Sequence, residues 1–404
     1  MILPCSDIQT QIEFYDKDVI KNILAVLTAA PEKVIYIYDR QLDDMSRFEG
    51  LKKCFRRHFP NIQMETYPVD VSRIGEIYTV LCRVIKQNKG CALDLTGGSE
   101  LMTIAGYRAG LDQNIRLIYT DIIKEEMVDI FDENHKVPTA TLTLQDFVDA
   151  HGAEVIGSSH DEPEEREYVR ILSMCRTIFT HLSAWKSTCT FFQVALADSA
   201  PAELDLRIRT EIQQKDGRMV KADEDLLYEF QRQGFIRDLY YSGKHLVLTI
   251  CSKKYKTYLI SFGVWLELYV FIHAKMCGCF QDVKLGAMID WDAYDGIVVA
   301  GNEIDVIAQD RNMPVFVSCK LRSADTPALN ELIVAKKRLG GWFSKGIIVT
   351  FGDEKSQKNG TYRRAKELGI ELLDRSDVLS QNFGERLERA VRGHDLVSLK
   401  WKRI

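Results

Sequence analysis

Apolar residues in the first 150 positions follow two alternating patterns. Apolar runs in QTQIEFY, KVIYIYD, GCALDLT and NIRLIYTDI predict strands, and NIQMETYPV predicts a shorter one. Between them, DVIKNILAVLTAA sets Ile20, Ile23, Leu24 and Leu27 at helical spacing, and FEGLKKCFRRHF, IGEIYTVLCRVIKQ and SELMTIAGYRAGLDQ read as further helices. Strand–helix alternation with buried strands predicts a parallel sheet covered on both faces. The expectation is an α/β, Rossmann-like doubly wound domain over residues 1–156.

The pattern changes at GSSHDEPEERE, residues 157–167, which is small, polar and acidic and has the composition of a linker. Helices are predicted at EREYVRILSMCRTIFTHLSAW and DEDLLYEFQRQG. The second leads into Gly-Phe-Ile and two strands around Ser242-Gly243, a winged-helix-like order. Residues 157–260 are therefore expected to be a connector. Local charge favours a spacer or dimer element over a DNA reader. From 261 to 404 the order is an amphipathic helix (SFGVWLELYVFIHAKM) and three strands (VKLGAMIDW, DGIVVAGNEIDVIAQD, MPVFVSCKLR). Then come a helix stopped by Gly340-Gly341, strand KGIIVTFG, helix TYRRAKEL and strand IELLD. That order predicts an α/β core with a mixed sheet. No internal repeat interrupts the pattern.

Length and charge refine this picture. The 404 residues suit two or three domains. No apolar run reaches about 18 residues without a charge, so a membrane span is not expected, nor does the N-terminus read as a secretory signal. Ten scattered cysteines with no CxxC pair read as reduced thiols of a cytoplasmic protein. The net charge of −5 is uneven: residues 261–319 carry 3 basic and 8 acidic residues, and residues 320–404 carry 18 and 11. A metal-dependent enzyme acting on a polyanion could use that succession, which is also compatible with ordinary surface variation.

Two constellations carry candidate chemistry. Asp94-Leu95-Thr96-Gly97-Gly98-Ser99-Glu100 lies between a predicted strand and a helix, where open α/β sheets bind ligands. Its glycines allow close approach to the backbone, and free N–H groups at a helix start suit a phosphate. It matches neither GxGxxG nor a P-loop, and a tight structural turn is the alternative. The second constellation is Glu303-Ile304-Asp305 followed by Ser318-Cys319-Lys320 on the next strand. If the strands pair, Glu303, Asp305, Ser318 and Lys320 share a face. Asp305 interrupts a run that wants burial, and Glu267 interrupts an apolar helix in the same way. Buried carboxylates call for a cation. Carboxylates holding Mn2+ or Mg2+, with a lysine to offset transition-state charge, are the parts needed for phosphodiester hydrolysis. An Asp–Lys salt bridge is the simpler reading. The eight histidines form no HxxxH or HExxH pair, so zinc-hydrolase chemistry has no support. Tyr36, Tyr38 and Tyr119 read as core, and Lys336-Lys337-Arg338 as either a phosphate contact or a solvated face.

The Thr-Gly-Gly-Ser-Glu turn in a Rossmann-like domain resembles the ligand loop of CRISPR-associated Rossmann fold (CARF) domains. Gly263-Val264-Trp265-Leu266-Glu267, Asn302-Glu303-Ile304-Asp305-Val306 and Ser318-Cys319-Lys320 resemble the nuclease half of single-CARF effector nucleases of type III CRISPR systems. The resemblance covers the whole chain. It implies a homodimer that binds cyclic oligoadenylate, with cyclic tetra-adenylate the expected ring, and a restriction-endonuclease-like PD-(D/E)xK nuclease that cuts DNA, RNA or both with Mn2+ or Mg2+. By that resemblance Tyr15, Asp16, Thr96, Gly97, Gly98, Ser99 and Glu100 bind the activator. Glu267, Glu303, Asp305 and Lys320 are catalytic, and Glu267, Asp305 and the Cys319 carbonyl hold metal. The acid expected two residues before the lysine is Ser318 here, with Glu303 or Glu331 the candidate substitutes. The competing reading is a nucleotide-sensing transcription regulator with a degenerate nuclease domain. A plain restriction-like endonuclease would leave the first 150 residues unexplained.

Overall fold

A computed structural model describes residues 8–42, 45–291, 293, 302–339, 341–353 and 360–401. Strands β1 (Thr10–Phe14), β2 (Lys33–Asp39), β3 (Gln63–Val69), β4 (Cys91–Asp94) and β5 (Arg116–Asp121) are parallel, as expected. Beyond β5 the sheet continues antiparallel through β6 (Glu126–Asp129) and β7 (Asp132–Pro138), an extension the apolar pattern did not announce. The spatial order is β3-β2-β1-β4-β5-β6-β7. Alternate residues of the central strands feed two cores. Val34 and Tyr36 pack with α1 (Val19–Ala29), α2 (Ser46–His58) and α5 (Leu144–Ala150). Ile35 and Ile37 pack with α3 (Ile74–Gln87) and α4 (Glu100–Gln113). Strand order reverses between β1 and β4, so the loops that follow them frame a crevice.

The connector is not a separate spacer. Helices α6 (Tyr168–Thr180), α7 (Leu182–Ala195), α8 (Glu224–Arg232) and α9 (Lys253–Ile260) surround a sheet ordered β12-β13-β9, made of β9 (Asp205–Arg209), β12 (Ile236–Ser242) and β13 (His245–Ile250). A small ladder, β10 (Ile212–Gln213) with β11 (Met219–Val220), flanks it. The winged-helix-like order is present, yet its buried residues belong to the same core as those of the last third of the chain. Trp185 of α7 meets Trp265 edge to face at 6.1 Å and donates through Nε1 to the Phe262 carbonyl at 3.0 Å.

That last third has a six-stranded sheet. Helix α10 (Val264–Met276) is buried on nearly every side beneath β14 (Asp282–Asp290), β15 (Asn302–Asp310) and β16 (Met313–Lys320). Helix α11 (Thr326–Leu339), β17 (Lys345–Thr350), α12 (Gly360–Glu367), β18 (Ile370–Leu373), α13 (Arg375–Val378) and α14 (Phe383–Trp401) follow. The meander β14-β15-β16 is antiparallel, and β17 and β18 run parallel to β16, giving the expected mixed sheet. The expected strand start at 295–301 and the helix stop at Gly340 lie outside the described residues.

The sixth strand corrects the linker expectation. Strand β8 (Glu154–Ser158) pairs antiparallel with β14 at the sheet's edge, and Ser159 N donates to the Gly286 carbonyl at 2.9 Å. The expected boundary at 156 runs through this strand. Its side chains are exposed and its pairing is through the backbone, so the composition reads as a linker while the segment is sheet. No single helix among the described residues is long and apolar enough to cross a membrane.

The first domain and the last third of the chain also touch directly. The Asn312 side chain, at the β15–β16 turn, accepts from Leu142 N at 2.8 Å and donates to the Ala140 carbonyl at 3.0 Å. Arg311 reaches Glu125 at 3.3 Å. Gly341 lies so close to Asp18 that a methyl group there would meet the carboxylate at 2.1 Å, and Phe343 packs against the α1–α2 core.

Candidate functional site

Strand pairing brings the second constellation together. Asp305 of β15 lies one step beyond the paired residues Val306 and Val317. Its Oδ2 accepts from Cys319 N at 2.6 Å, lies 3.4 Å from Ser318 Oγ and 3.6 Å from Lys320 Nζ. Glu303, Asp305, Ser318, Lys320 and Glu331 line one cleft of about 320 Å³. Glu267 enters from the first turn of α10, where a helix N-terminus favours a carboxylate. At Cys319 the structure brings the backbone amide to Asp305. The sequence reading missed His160, whose Nε2 lies 3.9 Å from Glu267 Oε2. One ligand atom each from His160, Glu267 and Glu303 lie within 4.8 Å of one another. His160 was illegible because a single histidine in a Ser- and acid-rich stretch carries no spacing signal.

Electrostatics here are those of carboxylates crowded in a half-dry cleft. Burial, reinforced by the charges of Asp305 and Glu303, pushes the Glu267 carboxyl up to about 8. Burial also raises Asp305, exceeding what Lys320 and the Cys319 amide return. Burial lowers the Lys320 ammonium, but Asp305 leaves it above its ordinary value, so the lysine stays charged. Burial lowers the His160 imidazole, keeping it neutral. Glu267 Oε2 is buried and has no hydrogen-bond partner.

In the first domain, the loops after β1 and β4 meet. Gly98 N donates to Asp16 Oδ2 at 3.2 Å, and Lys21 Nζ reaches the same oxygen at 3.0 Å. Asn22 accepts from Asp16 N at 2.8 Å and donates to its carbonyl at 2.8 Å. Asp94 is buried beneath the turn. Burial pushes its carboxyl up to about 7, against the opposing hydrogen bonds from Thr96. Asp94 Oδ1 accepts from Thr96 N at 2.8 Å, and Thr96 Oγ1 accepts from Thr120 N at 2.7 Å. Ser99 caps α4 by accepting from Met102 N at 3.3 Å, and Glu100 opens the helix, exposed. The glycines have a structural reason of their own. Gly98 has φ +79°, and a side chain there would meet Phe14 at 2.7 Å. Tyr15 turns its ring onto Phe48, 5.2 Å away, on the core side. Lys21 and Asn22 were the residues here that the sequence reading missed. Tyr36 and Tyr38 are core, but Tyr119 is 44% exposed and is not.

Comparison with known proteins follows the same division. Residues 253–388 match the family model described as the Card1-like endonuclease domain. No curated protein sequence matches the chain. Among solved structures, protein VC1899 from Vibrio cholerae is similar with a TM-score of 0.73 at 15% identity, over 94% of this chain and 98% of that one. Can2 from Sulfobacillus thermosulfidooxidans, solved in complex with cyclic tetra-adenylate, is similar with a TM-score of 0.64 at 13% identity, over 96% and 97%. A type III CRISPR defence DNA nuclease activated by cyclic oligoadenylate gives a TM-score of 0.53 at 14% identity, over 96% of this chain and 52% of that one. The fold is that of the CARF–nuclease effectors. Within it, this chain carries a Card1-like endonuclease domain.

The raised Glu267 carboxyl has a stability consequence. A group whose folded value lies above its ordinary 4.5 binds more protons folded than unfolded, so its contribution to stability falls as pH rises from about 4.5 toward about 8. Glu267→Gln should therefore melt above the wild type at pH 8 in chelator-treated buffer, with the difference shrinking toward pH 5. Thermal melts across that range check it, and equal melting at pH 8 would contradict the burial argument.

Proposed function

We propose that the chain is a metal-dependent endonuclease, activated by cyclic oligoadenylate, that hydrolyses phosphodiester bonds of DNA or RNA in CRISPR antiviral defence. The observation that carries this reading is the convergence of Glu303, Asp305 and Lys320 on one cleft, with Glu267 close enough to feel the charges of all three, in a region that matches the Card1-like endonuclease domain. The carboxylates are the ligands for Mn2+ or Mg2+, and the unpartnered buried oxygen of Glu267 fits such an ion. A bound divalent cation supplies polarisation of the phosphate and a lowered pKa for bound water. The chain's own residues do the rest. Lys320 holds its proton beside Asp305 and offsets charge growing on the non-bridging oxygens as the bond to the leaving oxygen breaks. The Cys319 amide and Ser318 hydroxyl fix the Asp305 carboxylate, and the Cys319 carbonyl remains a candidate ligand. Ser318 is the residue that favours the transcription-regulator reading. Three intact groups of costly type around one cleft favour the enzyme.

Asp305→Ala should lower cleavage by about 10²–10³ in rate or more, and Lys320→Ala nearly as much. Labelled DNA and RNA incubated with Mn2+ and cyclic tetra-adenylate provide the measurement. Wild-type cutting by either variant would remove these residues from the mechanism.

In the sensor half, the β1/β4 crevice is the activator site in this reading. Can2, of similar fold, was solved with cyclic tetra-adenylate. Phosphates would meet the amides at the start of α4, the Thr96 and Ser99 hydroxyls and Lys21, displacing the Asp16 carboxylate from Gly98 N. Ser99→Asp isolates this interaction, because Asp caps a helix as well as Ser does while adding a negative charge at the crevice. Calorimetry should show affinity for cyclic tetra-adenylate reduced at least about tenfold, about 1.4 kcal/mol, with an unchanged melting temperature. Undiminished affinity would make the loop only a turn.

Helix α4 supports the homodimer. It turns its small residues Ala105, Gly106, Ala109 and Gly110 toward the sheet. Its large apolar residues Leu101, Ile104, Tyr107 and Leu111 point outward, Ile104 being 56% exposed. Such a stripe marks an association surface, and it begins at the ligand loop, so a two-fold axis along it would face two loops across one ring. Ile104→Asp should give a monomer by light scattering and lose activator binding; a dimer with normal binding would move the interface elsewhere. The nine described cysteines are free, which supports a cytoplasmic setting.

A further inference from the structure

We propose that His160 is a ligand of the nuclease's divalent cation, delivered by the edge strand that leaves the sensor and standing in for the acid that Ser318 lacks. The inference rests on the metal reading above. Its geometry adds a residue from beyond the two paired strands, just past the end of β8. Ligand atoms around one small divalent cation, each about 2.0–2.2 Å from it, lie roughly 3–4.4 Å apart. One atom each of His160, Glu267 and Glu303 falls within 4.8 Å of the others, close to that spacing before any ion draws them in.

An ordinary His–Glu contact does not account for the arrangement. Nε2 and Oε2 are 3.9 Å apart, beyond hydrogen-bond length. His160 Nδ1 and Glu267 Oε2 are both buried without a hydrogen-bond partner among the described residues. Buried polar atoms are nearly always satisfied, so a carboxylate oxygen left orphaned opposite the ring's Nε2, at a distance too long for a hydrogen bond, marks a missing partner. A cation satisfies a ring nitrogen and a carboxylate oxygen together.

The local backbone is built to aim this side chain. Between the pairs Val155–Ile289 and Gly157–Met288, strand β8 holds one extra residue, Ile156, a bulge of the kind that redirects side chains beside active sites. Gly286 of β14 has φ +58°, and a Cβ there would strike Ser159 Oγ at 2.2 Å, so this glycine lets the segment before His160 press against the sheet. Ser158 Oγ is 2.7 Å from the Leu285 carbonyl and 2.6 Å from that of His160. On the other side, Tyr258 donates to the Asp161 carbonyl at 2.6 Å and presents its ring to the imidazole at 6.4 Å. Both flanks of the histidine are therefore tied, as a ligand's supporting shell should be.

An imidazole donor predicts a metal preference, since nitrogen suits transition metals and Mg2+ favours an all-oxygen shell. The test is pulsed electron paramagnetic resonance of Mn2+ bound to the full-length protein, without nucleic acid. The wild type should show nitrogen modulation that changes when the histidines carry 15N, a readout that depends on no variant. In His160→Ala the modulation should vanish while Mn2+ still binds, about tenfold or more weaker by calorimetry, and the Mn2+ over Mg2+ preference should shrink. Bound Mn2+ with no nitrogen coupling, or coupling that persists in His160→Ala, would overturn the histidine and leave the carboxylate site standing. Failure of the wild type to bind Mn2+ at all would overturn both.

Discussion

Carboxylates forced into a core set the terms for everything around them. Glu267 rides on a helix buried on nearly every side, and Asp305 interrupts a strand whose neighbours are core. Desolvating charge is costly, and crowding like charges costs more. The fold concedes only partial relief: one lysine, one backbone amide and one serine hydroxyl, all directed at Asp305. Glu267 Oε2 accepts no hydrogen bond among the described residues, and burial with the charges of Asp305 and Glu303 outweighs the relief from Lys320, pushing the carboxyl up to about 8. Its place beside Asp305 and Glu303 is what the proposed cation would relieve.

The same core explains why the connector cannot be a flexible tether. Trp185, Phe230, Phe235 and Tyr258 surround Trp265, two residues from Glu267. The winged-helix-like unit thus forms the floor under the helix acid. Cys175 donates to the Trp265 carbonyl at 3.1 Å, fixing α6 to the same point. Interiors packed to this density move as units rather than bending. The first domain meets the last third of the chain at Asn312 against residues 140–142, at Asp18 against Gly341, and along β8.

Sequence pattern was informative wherever burial imposed a period. The five parallel strands, the covering helices, the meander and the Glu267–Asp305–Lys320 grouping all came from apolar runs and the charges that interrupt them. It failed where backbone pairing or assembly overrides composition. Strand β8 is exposed on its side chains, so it reads as a linker, and His160 was lost with it. Strand β6 is short and β7 is polar. Tyr119 has strand character but faces outward. In α4 the apolar residues point away from the sheet, because small residues are what a close helix–sheet approach requires. Periodicity alone gives the helix and not which face is covered.

These contacts also bear on how a sensor could control a nuclease at a distance. An activator shifts a balance only by its preference for one state, and moving it from 1:99 to 99:1 needs about 5.5 kcal/mol. In the proposed reading, a phosphate at Gly98 N displaces Asp16, whose carboxylate also holds Lys21 and the Asp18 amide. Asp18 in turn rests on Gly341, at the end of the segment that follows α11, and α11 carries Glu331 into the nuclease cleft. A second path runs through β8, which joins the sensor's last helix to His160 within two residues of the strand's end. The first path moves the cleft's rim and the second moves a residue of its metal cluster. A hinge that displaces a ligand by even part of a bond length changes metal affinity directly, whereas a rim shift acts only through substrate. In the proposed reading β8 is the path that carries a ligand itself, and the linker-like composition that hid it from sequence analysis goes with side chains that lie outside the core.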